Sequence, residues 1–426
     1  MKLKRIAILT AASLAWNPRA LKEAGALSHA GFEVVVYGVV ANPVGLEIDE
    51  ELALRHGFKF VAAGVLSHST TDRLVHYWAR LRNRLGSEAA RWFGFSNRWQ
   101  LGRYVPELLR CAREAGADYY ISHLESALWV GARLLRDGYR VGVDMEDWYS
   151  EDLLPEARKH RPIRLLRALE QTLLCGSKHS SCPSRAMSLA LEKEFGCRPP
   201  TVIYNAFPWA ERARLDGMFK DRQDRRVPSL HWYSQTLGRG RGLEDLFAAL
   251  PHVVHPLEIH LRGNPAAGFE TWMMQQVPPG WRPSVFVHGL VSNDELLSRI
   301  AEHDIGFAGE QRYCRSRDLT VTNKILHYLL GGLAVVASDT EGQCEIASVA
   351  KEAVLIYPAG NPRALADALN QLLGSSEQLR LAKAAALRAA KETFCWEKVS
   401  EILVESIKKA LQEVPGAAGH SRTTAG

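Results

Sequence analysis

Residues 234–242 read Ser-Gln-Thr-Leu-Gly-Arg-Gly-Arg-Gly and stand directly before an amphipathic run. Gly238, Gly240 and Gly242 let a backbone approach an anion closely. Arg239 and Arg241 add positive charge, and a helix starting at Leu243 aims its N-terminal N–H groups at the same point. With the Ser234 hydroxyl this chemistry suits a diphosphate; an ordinary βα turn with two solvated arginines fits the same glycine pattern. His123 and Glu310 stand at the carboxyl ends of apolar runs, and Glu146 and Asp147 directly follow a third. Strand ends are where doubly wound sheets gather their ligands. There the imidazole of His123 and the two carboxylates can hydrogen-bond a polar ligand. Asp-x-Asp occurs nowhere in the chain. That pair would hold a divalent cation against a diphosphate, so no metal is expected and arginines with helix dipoles are expected to neutralise charge.

These residues need a frame. Residues 6–10 read as a buried strand, 19–30 as a helix stopped by Gly31, and 34–38 as a second strand, which is a βαβ unit. The rhythm continues with strands at 119–122, 140–145, 179–182 and 201–204, and helices at 125–137, 163–175 and 184–195. It breaks over the polar residues 205–228, which carry the charge run 220–226. It resumes with strands at 230–234, 257–262, 284–288, 305–308 and 334–338, and helices at 243–250, 292–303 and 322–331. Leu243, Leu246, Phe247 and Leu250 fall on one helical face, and Ser292 with Glu295 forms a capping box. Helices near 362–373, 377–390 and 396–411 close the series. Such alternation predicts an α/β protein of parallel sheets covered on both faces, in two doubly wound halves with the site in the cleft between them. The expected division is a domain over 1–210, a linker over 211–228, a second domain over 229–394, a helix over 395–412 crossing back to the first domain, and a disordered tail over 413–426.

Composition agrees with a folded protein of that size. At about 100–200 residues per domain, 426 residues make two or three domains. With 46% apolar and 23% charged residues, disordered and collagen-like classes are excluded. The longest apolar runs fall short of the ~18 residues that span a membrane. A net charge of +6 permits contact with phosphates or an anionic surface and argues little for nucleic acid. Seven scattered cysteines without a Cys-x-x-Cys pair suit neither a disulfide framework nor a zinc site and fit a reducing cytosol. The basic start followed by apolar residues 6–16 has the order of a signal peptide, but strand–helix–glycine–strand is the better reading, so a cytoplasmic location is expected.

In this order the motifs resemble those of the GT-B glycosyltransferases, and of glycosyltransferase family four (glycosyl transferases group 1) in particular. Residues 17–23 are similar to that family's loop-plus-helix start, and 120–123 to its strand ending in an active-site His. Residues 145–151 are similar to its acidic segment, and 202–205 to the strand leading to an interdomain Asn. In the second half, 234–242 resembles the phosphate loop, 287–289 the base-binding edge, and 323–332 with 335–338 the donor helix and following strand. The resemblance runs to about Leu411. It implies two Rossmann-like domains, the first binding acceptor and the second a nucleotide sugar. The implied activity is a metal-independent, retaining hexosyl transfer to a glycan or lipid-linked acceptor, with the nucleotide-sugar donor as substrate and no cofactor. It implies catalytic roles for His123, Glu146 and Asp147. Donor contacts are implied for Ser234, Thr236, Arg239, Arg241, Gly263, His288, Glu310, Asn323, Lys324 and His327. Two places depart from the pattern. A second cation of the phosphate loop would stand near Thr236, and the ribose-binding Glu is replaced by His327, with the place of its partner Glu near Leu319. An imidazole offers one acceptor where a carboxylate offers two. A non-catalytic GT-B partner of another transferase, or a nucleotide-sugar epimerase, therefore stays an alternative.

Residues 71–104 stand apart. They hold Arg73, Arg80, Arg82, Arg84, Arg91, Arg98 and Arg103 against Asp72 and Glu88, with Tyr77, Trp78, Trp92, Phe93, Phe95, Trp99 and Tyr104 interleaved. This suits an anionic membrane interface; a solvated helical lid with its Trp side on the core fits as well. Nothing matches a nucleic-acid reading module, so no nucleic acid is expected. A lipid-linked acceptor at the inner membrane face would join the interface to the transfer.

Overall fold

The computed structural model describes residues 3–40, 43–64, 70–93, 96–153, 155–159, 161–222 and 226–412; Phe95, the middle of the charge run and the tail 413–426 lie outside these. The strands are β1 (Arg5–Thr10), β2 (Glu33–Val39), β3 (Lys59–Gly64), β4 (Tyr119–His123), β5 (Val141–Asp144), β6 (Ser180–Cys182) and β7 (Thr201–Val202), then β8 (Ser229–Leu237), β9 (Glu258–Pro265), β10 (Val285–His288), β11 (Ile305–Ala308), β12 (Ala334–Ser338) and β13 (Val354–Tyr357). They form a seven-stranded sheet, β3-β2-β1-β4-β5-β6-β7, and a six-stranded sheet, β10-β9-β8-β11-β12-β13. The pairings are parallel, for example Thr10 beside His123 and Ile305 beside Leu230. Ile6, Ala7, Ile8 and Leu9 are wholly buried on both faces, as a strand covered by helices on each side requires. In each sheet the strand order reverses where β1 meets β4 and where β8 meets β11, and sheets of this kind bind ligands in the crevices above such points.

Sequence reading left out β3 and β13, and both are edge strands. An edge strand buries one face unevenly, and β3 alternates exposed and buried residues around Lys59. The polar stretch after Asn205 is pinned to the second sheet's side. Arg299 Nη2 meets Asp216 Oδ2 at 2.5 Å, Arg222 Nη1 meets Asp304 Oδ2 at 2.9 Å, and Asp221 takes Arg262. Helix Trp396–Gln412 lays Val399, Leu403, Ile407 and Ala410 into the first sheet's core beside Ala24 and Leu27. Each large apolar side chain so buried stabilises by about 1.5–3 kcal/mol. The chain therefore crosses from the second sheet's helices back onto the first. No helix among the described residues is long and apolar enough to cross a membrane.

Candidate active site

The first sheet supplies an ion network below the cleft. Asn17 caps helix Pro18–His29, accepting from Ala20 N–H at 3.0 Å, and Pro18 opens that helix. The second residue of the helix, Arg19, grips Asp144 at the end of β5 with two hydrogen bonds, Nε to Oδ1 at 2.9 Å and Nη2 to Oδ2 at 2.8 Å. Ser181 adds a third bond to Asp144 at 2.8 Å. Four residues on from Arg19, Glu23 faces the end of β4, where its Oε2 lies 2.7 Å from His123 Nε2. The other imidazole nitrogen lies 2.9 Å from Glu146 Oε1, which also accepts from Asn17 Nδ2 at 2.8 Å. His123 is wholly buried. Burial alone would lower its pKa; the carboxylates of Glu23 and Glu146 outweigh that and lift it to about 10. Glu23, His123 and Asp144 each hold one ligand-type atom within 4.8 Å of the others. With Arg19 on both Asp144 oxygens and His123 bridging two carboxylates, the trio is an ion network and a poor metal site. Its product is a fixed Glu146 at the cleft wall.

The second sheet supplies the opposite wall. β8 runs on to Leu237, and the glycine loop delivers helix Leu243–Ala249. Gly242 has φ 84°, and a Cβ there would overlap the Gly309 carbonyl, so only glycine lets the loop lie against the end of β11. Within the loop Arg241 Nη1 donates to Ser234 Oγ at 3.0 Å, and Gly240 N–H donates to Glu244 Oε1 at 2.7 Å. The Arg239 guanidinium lies 5.6 Å from the Trp272 ring centre. At the end of β11, Glu310 takes Lys324 Nζ at 2.6 Å from the first turn of helix Asn323–Gly331. Burial pushes the Glu310 carboxyl up, and the Lys324 ammonium more than reverses this, holding it below the ordinary range. Asn205 Nδ2 reaches across to Asn323 Oδ1 at 2.8 Å, and Lys22 Nζ holds Asn205 Oδ1 at 2.6 Å. Glu345 caps helix Arg185–Phe195 of the other half, accepting from Arg185 N–H at 2.9 Å and Ala186 N–H at 3.0 Å.

Between these walls lies a cavity of about 740 Å³. Glu146, Asp147, Ser234, Arg239, Arg241, Glu310, Asn323 and Lys324 all line it. Burial, with Asp152 and Glu146 nearby, raises the Asp147 carboxyl to about 7 against the pull of Arg317. Four expected donor contacts do not line the cavity. Thr236 is an exposed residue of the β8 extension. Gly263 is a packing glycine, since a Cβ would overlap the Ser234 carbonyl. His288 instead joins a buried histidine group, its Nε2 3.0 Å from His260 Nδ1 and its Nδ1 3.5 Å from Asp221 Oδ1. His327 is buried one turn below Asn323, its Nδ1 3.1 Å from the Tyr233 hydroxyl and its ring stacked on Phe207 at 3.9 Å. Burial and nearby Lys22 lower its pKa to about 3, so it is a neutral core imidazole. Its expected place at a ribose is corrected accordingly, because residues 207 and 233 cover that face of the helix. His123 is likewise buried, beneath Glu146, and does not line the cavity.

Among the cavity groups that the sequence did not single out are Arg19, Tyr233, Glu244, Gln311, Tyr313 and Arg317. Arg19 and Glu23 stood in plain sight as charges four residues apart on an otherwise apolar helix face, a spacing that places both on one side. Arg317 belongs to the short helix Arg315–Leu319 and gave no signal.

Residues 233–375 match the family described as Glycosyl transferases group 1. Spore coat protein SA of Bacillus subtilis is 30% identical over 86 residues, 20% of this chain and 23% of that protein, so the match spans about a quarter of that relative's length. Among solved structures, Anabaena HepE in complex with UDP superposes with a TM-score of 0.68 at 15% identity, over 95% of this chain and 99% of that one. Sucrose-phosphate synthase from Thermosynechococcus elongatus superposes with a TM-score of 0.69 at 15% identity, over 95% and 98%. The chain has the two-domain GT-B fold, and its second domain matches the glycosyl transferases group 1 family.

Proposed function

We propose that the chain is a retaining, metal-independent glycosyltransferase that moves a hexose from a nucleotide-sugar donor to a glycan or lipid-linked acceptor. The work would be cytoplasmic, at the inner face of a membrane, in polysaccharide assembly. The observation that carries this reading is the facing of two unlike walls across one cavity. A glycine loop with Ser234, Arg239, Arg241 and Lys324, and with Glu244 and Glu310 beside them, lines one side, and Glu146 and Asp147 with Arg19 line the other.

The division of labour follows from charge. The loop and the start of helix Leu243–Ala249 offer N–H groups and cations to a diphosphate. As the bond from sugar to diphosphate breaks, Arg241 and Lys324 take up the charge that develops on the leaving oxygen. The acceptor hydroxyl attacks from the same face, and its proton passes to that oxygen. Glu146, held by Asn17 and His123, orients the acceptor hydroxyls together with Asp147. His123 is thus a positioning residue.

Two expected results follow. Arg241→Ala loses a charge-assisted contact to the diphosphate, worth about 1–3 kcal/mol, so donor affinity falls about 5- to 150-fold in a calorimetric titration; unchanged affinity would remove Arg241 from the donor site. If ionised Asp147 orients the acceptor, kcat/KM rises as pH passes about 7, the level to which this carboxyl is lifted. The inflection disappears in Asp147→Asn. The transfer itself is tested by incubating a UDP-sugar with and without acceptor: a transferase needs the acceptor, an epimerase converts donor alone, and a non-catalytic partner does neither.

A further inference from the structure

Helix Thr70–Phe93 carries two stripes that the sugar site does not use. Its inward side is spoken for. Ala79 and Gly86 are buried, Asn83 Nδ2 donates to the Trp99 carbonyl at 2.6 Å, and Arg82 Nη2 pairs with Glu107 Oε1 at 2.6 Å. At 100° per residue, Leu74, Trp78, Leu81, Leu85 and Trp92 fall into one outward row. Four of them are more than half exposed: Leu74 60%, Trp78 57%, Leu85 59% and Trp92 77%. Beside that row, on one flank, run Arg73, Arg80, Arg84 and Arg91, all exposed. From 73 to 92 the helix has five arginines against the single acid Glu88.

We infer that this face docks on an anionic lipid bilayer, with Trp78 and Trp92 in the headgroup region and the arginine row on lipid phosphates. The commitment rests on charge. A helix that paired with a second copy through this face would bring two all-arginine rows together, whereas an anionic surface satisfies each of them. Two exposed Trp residues in a row of leucines are the side chains that sit best where apolar tails meet headgroups. The inference stands apart from sugar transfer, since it uses no residue of the cavity.

The test is sedimentation of the full chain with vesicles of phosphatidylglycerol and phosphatidylcholine, and with phosphatidylcholine alone, in the absence of donor. The expected result is binding to the anionic vesicles only, weakened by salt, with a blue shift of Trp emission. A tryptophan variant, Trp78→Ala with Trp92→Ala, is expected to lose binding at least tenfold. So is a charge variant, Arg80→Glu with Arg84→Glu, at about fivefold or more per charge removed near the surface. Both substitute solvent-exposed side chains, and an unchanged melting temperature verifies that they fold. Wild-type chain that stays in the supernatant with anionic vesicles at low salt overturns the inference. So does equal binding to both vesicles, or variants that bind like wild type. A wild-type dimer that the tryptophan variant turns into a monomer also overturns it, assigning the stripe to self-association.

Discussion

His123→Ala is expected to destabilise the chain by about 3–5 kcal/mol near neutral pH, the scale for removing one partner of a buried ion group. The substitution leaves Glu23 and Glu146 facing one another across the space that the imidazolium bridges at 2.7 and 2.9 Å. The pH dependence separates this from a simple cavity. The folded imidazole is lifted to about 10, above its ordinary value of about 6.5. The stabilisation it gives is therefore full below about pH 6.5 and fades as pH rises through about 10. Denaturant unfolding of wild type and variant should differ most near pH 6 and converge towards pH 10. A difference that stays constant across that range would assign the loss to packing alone. His123→Ala should also lower kcat more than it raises the donor KM, because Glu146 belongs to the acceptor side.

Lys324→Ala is expected to cut kcat/KM by about 10²- to 10³-fold, the cost of one donor aimed at developing charge. Its ammonium lies 2.6 Å from Glu310 and faces the cavity between the two sheets. The loss has two sources, a missing cation at the diphosphate and a Glu310 carboxylate left without the charge that holds its pKa down. Glu310→Gln separates them, because it keeps the lysine and removes only its partner. The expected result is a loss of less than about tenfold, small beside the 10²- to 10³-fold of the lysine variant. Equal losses in both variants would make Lys324 a structural partner of Glu310 and not a donor contact.

What the sequence made legible follows from which forces act locally. Runs such as 6–10 and 334–338 are apolar on both faces, and only a covered parallel strand buries both. Strand ends then locate Glu146, Asp147, Glu310 and the loop around Arg241, all of which line the cavity. Long-range pairing was not legible. Arg19 finds Asp144 across 125 residues, and no local pattern states that the helix charge and the strand-end acid meet. His327 misled for a related reason. It shares a helix face with Asn323, but Phe207 and Tyr233 close over that face one turn in and take its ring. His288 was placed by the family resemblance of 287–289, yet its ring turns to Asp221 and His260. The edge strand β3 hid because its exposed and buried residues alternate around Lys59, whereas β13 is a continuous apolar run that carries the signal of a buried strand.

The most direct measurement is calorimetric titration of the full chain with UDP, GDP, ADP, TDP and CMP in the presence of a metal chelator, repeated on Arg241→Ala. The account predicts that one of them binds without metal. It should raise the stability by about 2.7 kcal/mol at a hundred times its dissociation constant, and bind at least fivefold more weakly to the variant. Failure of all five to bind, with or without added magnesium, would contradict a working donor site between the two sheets.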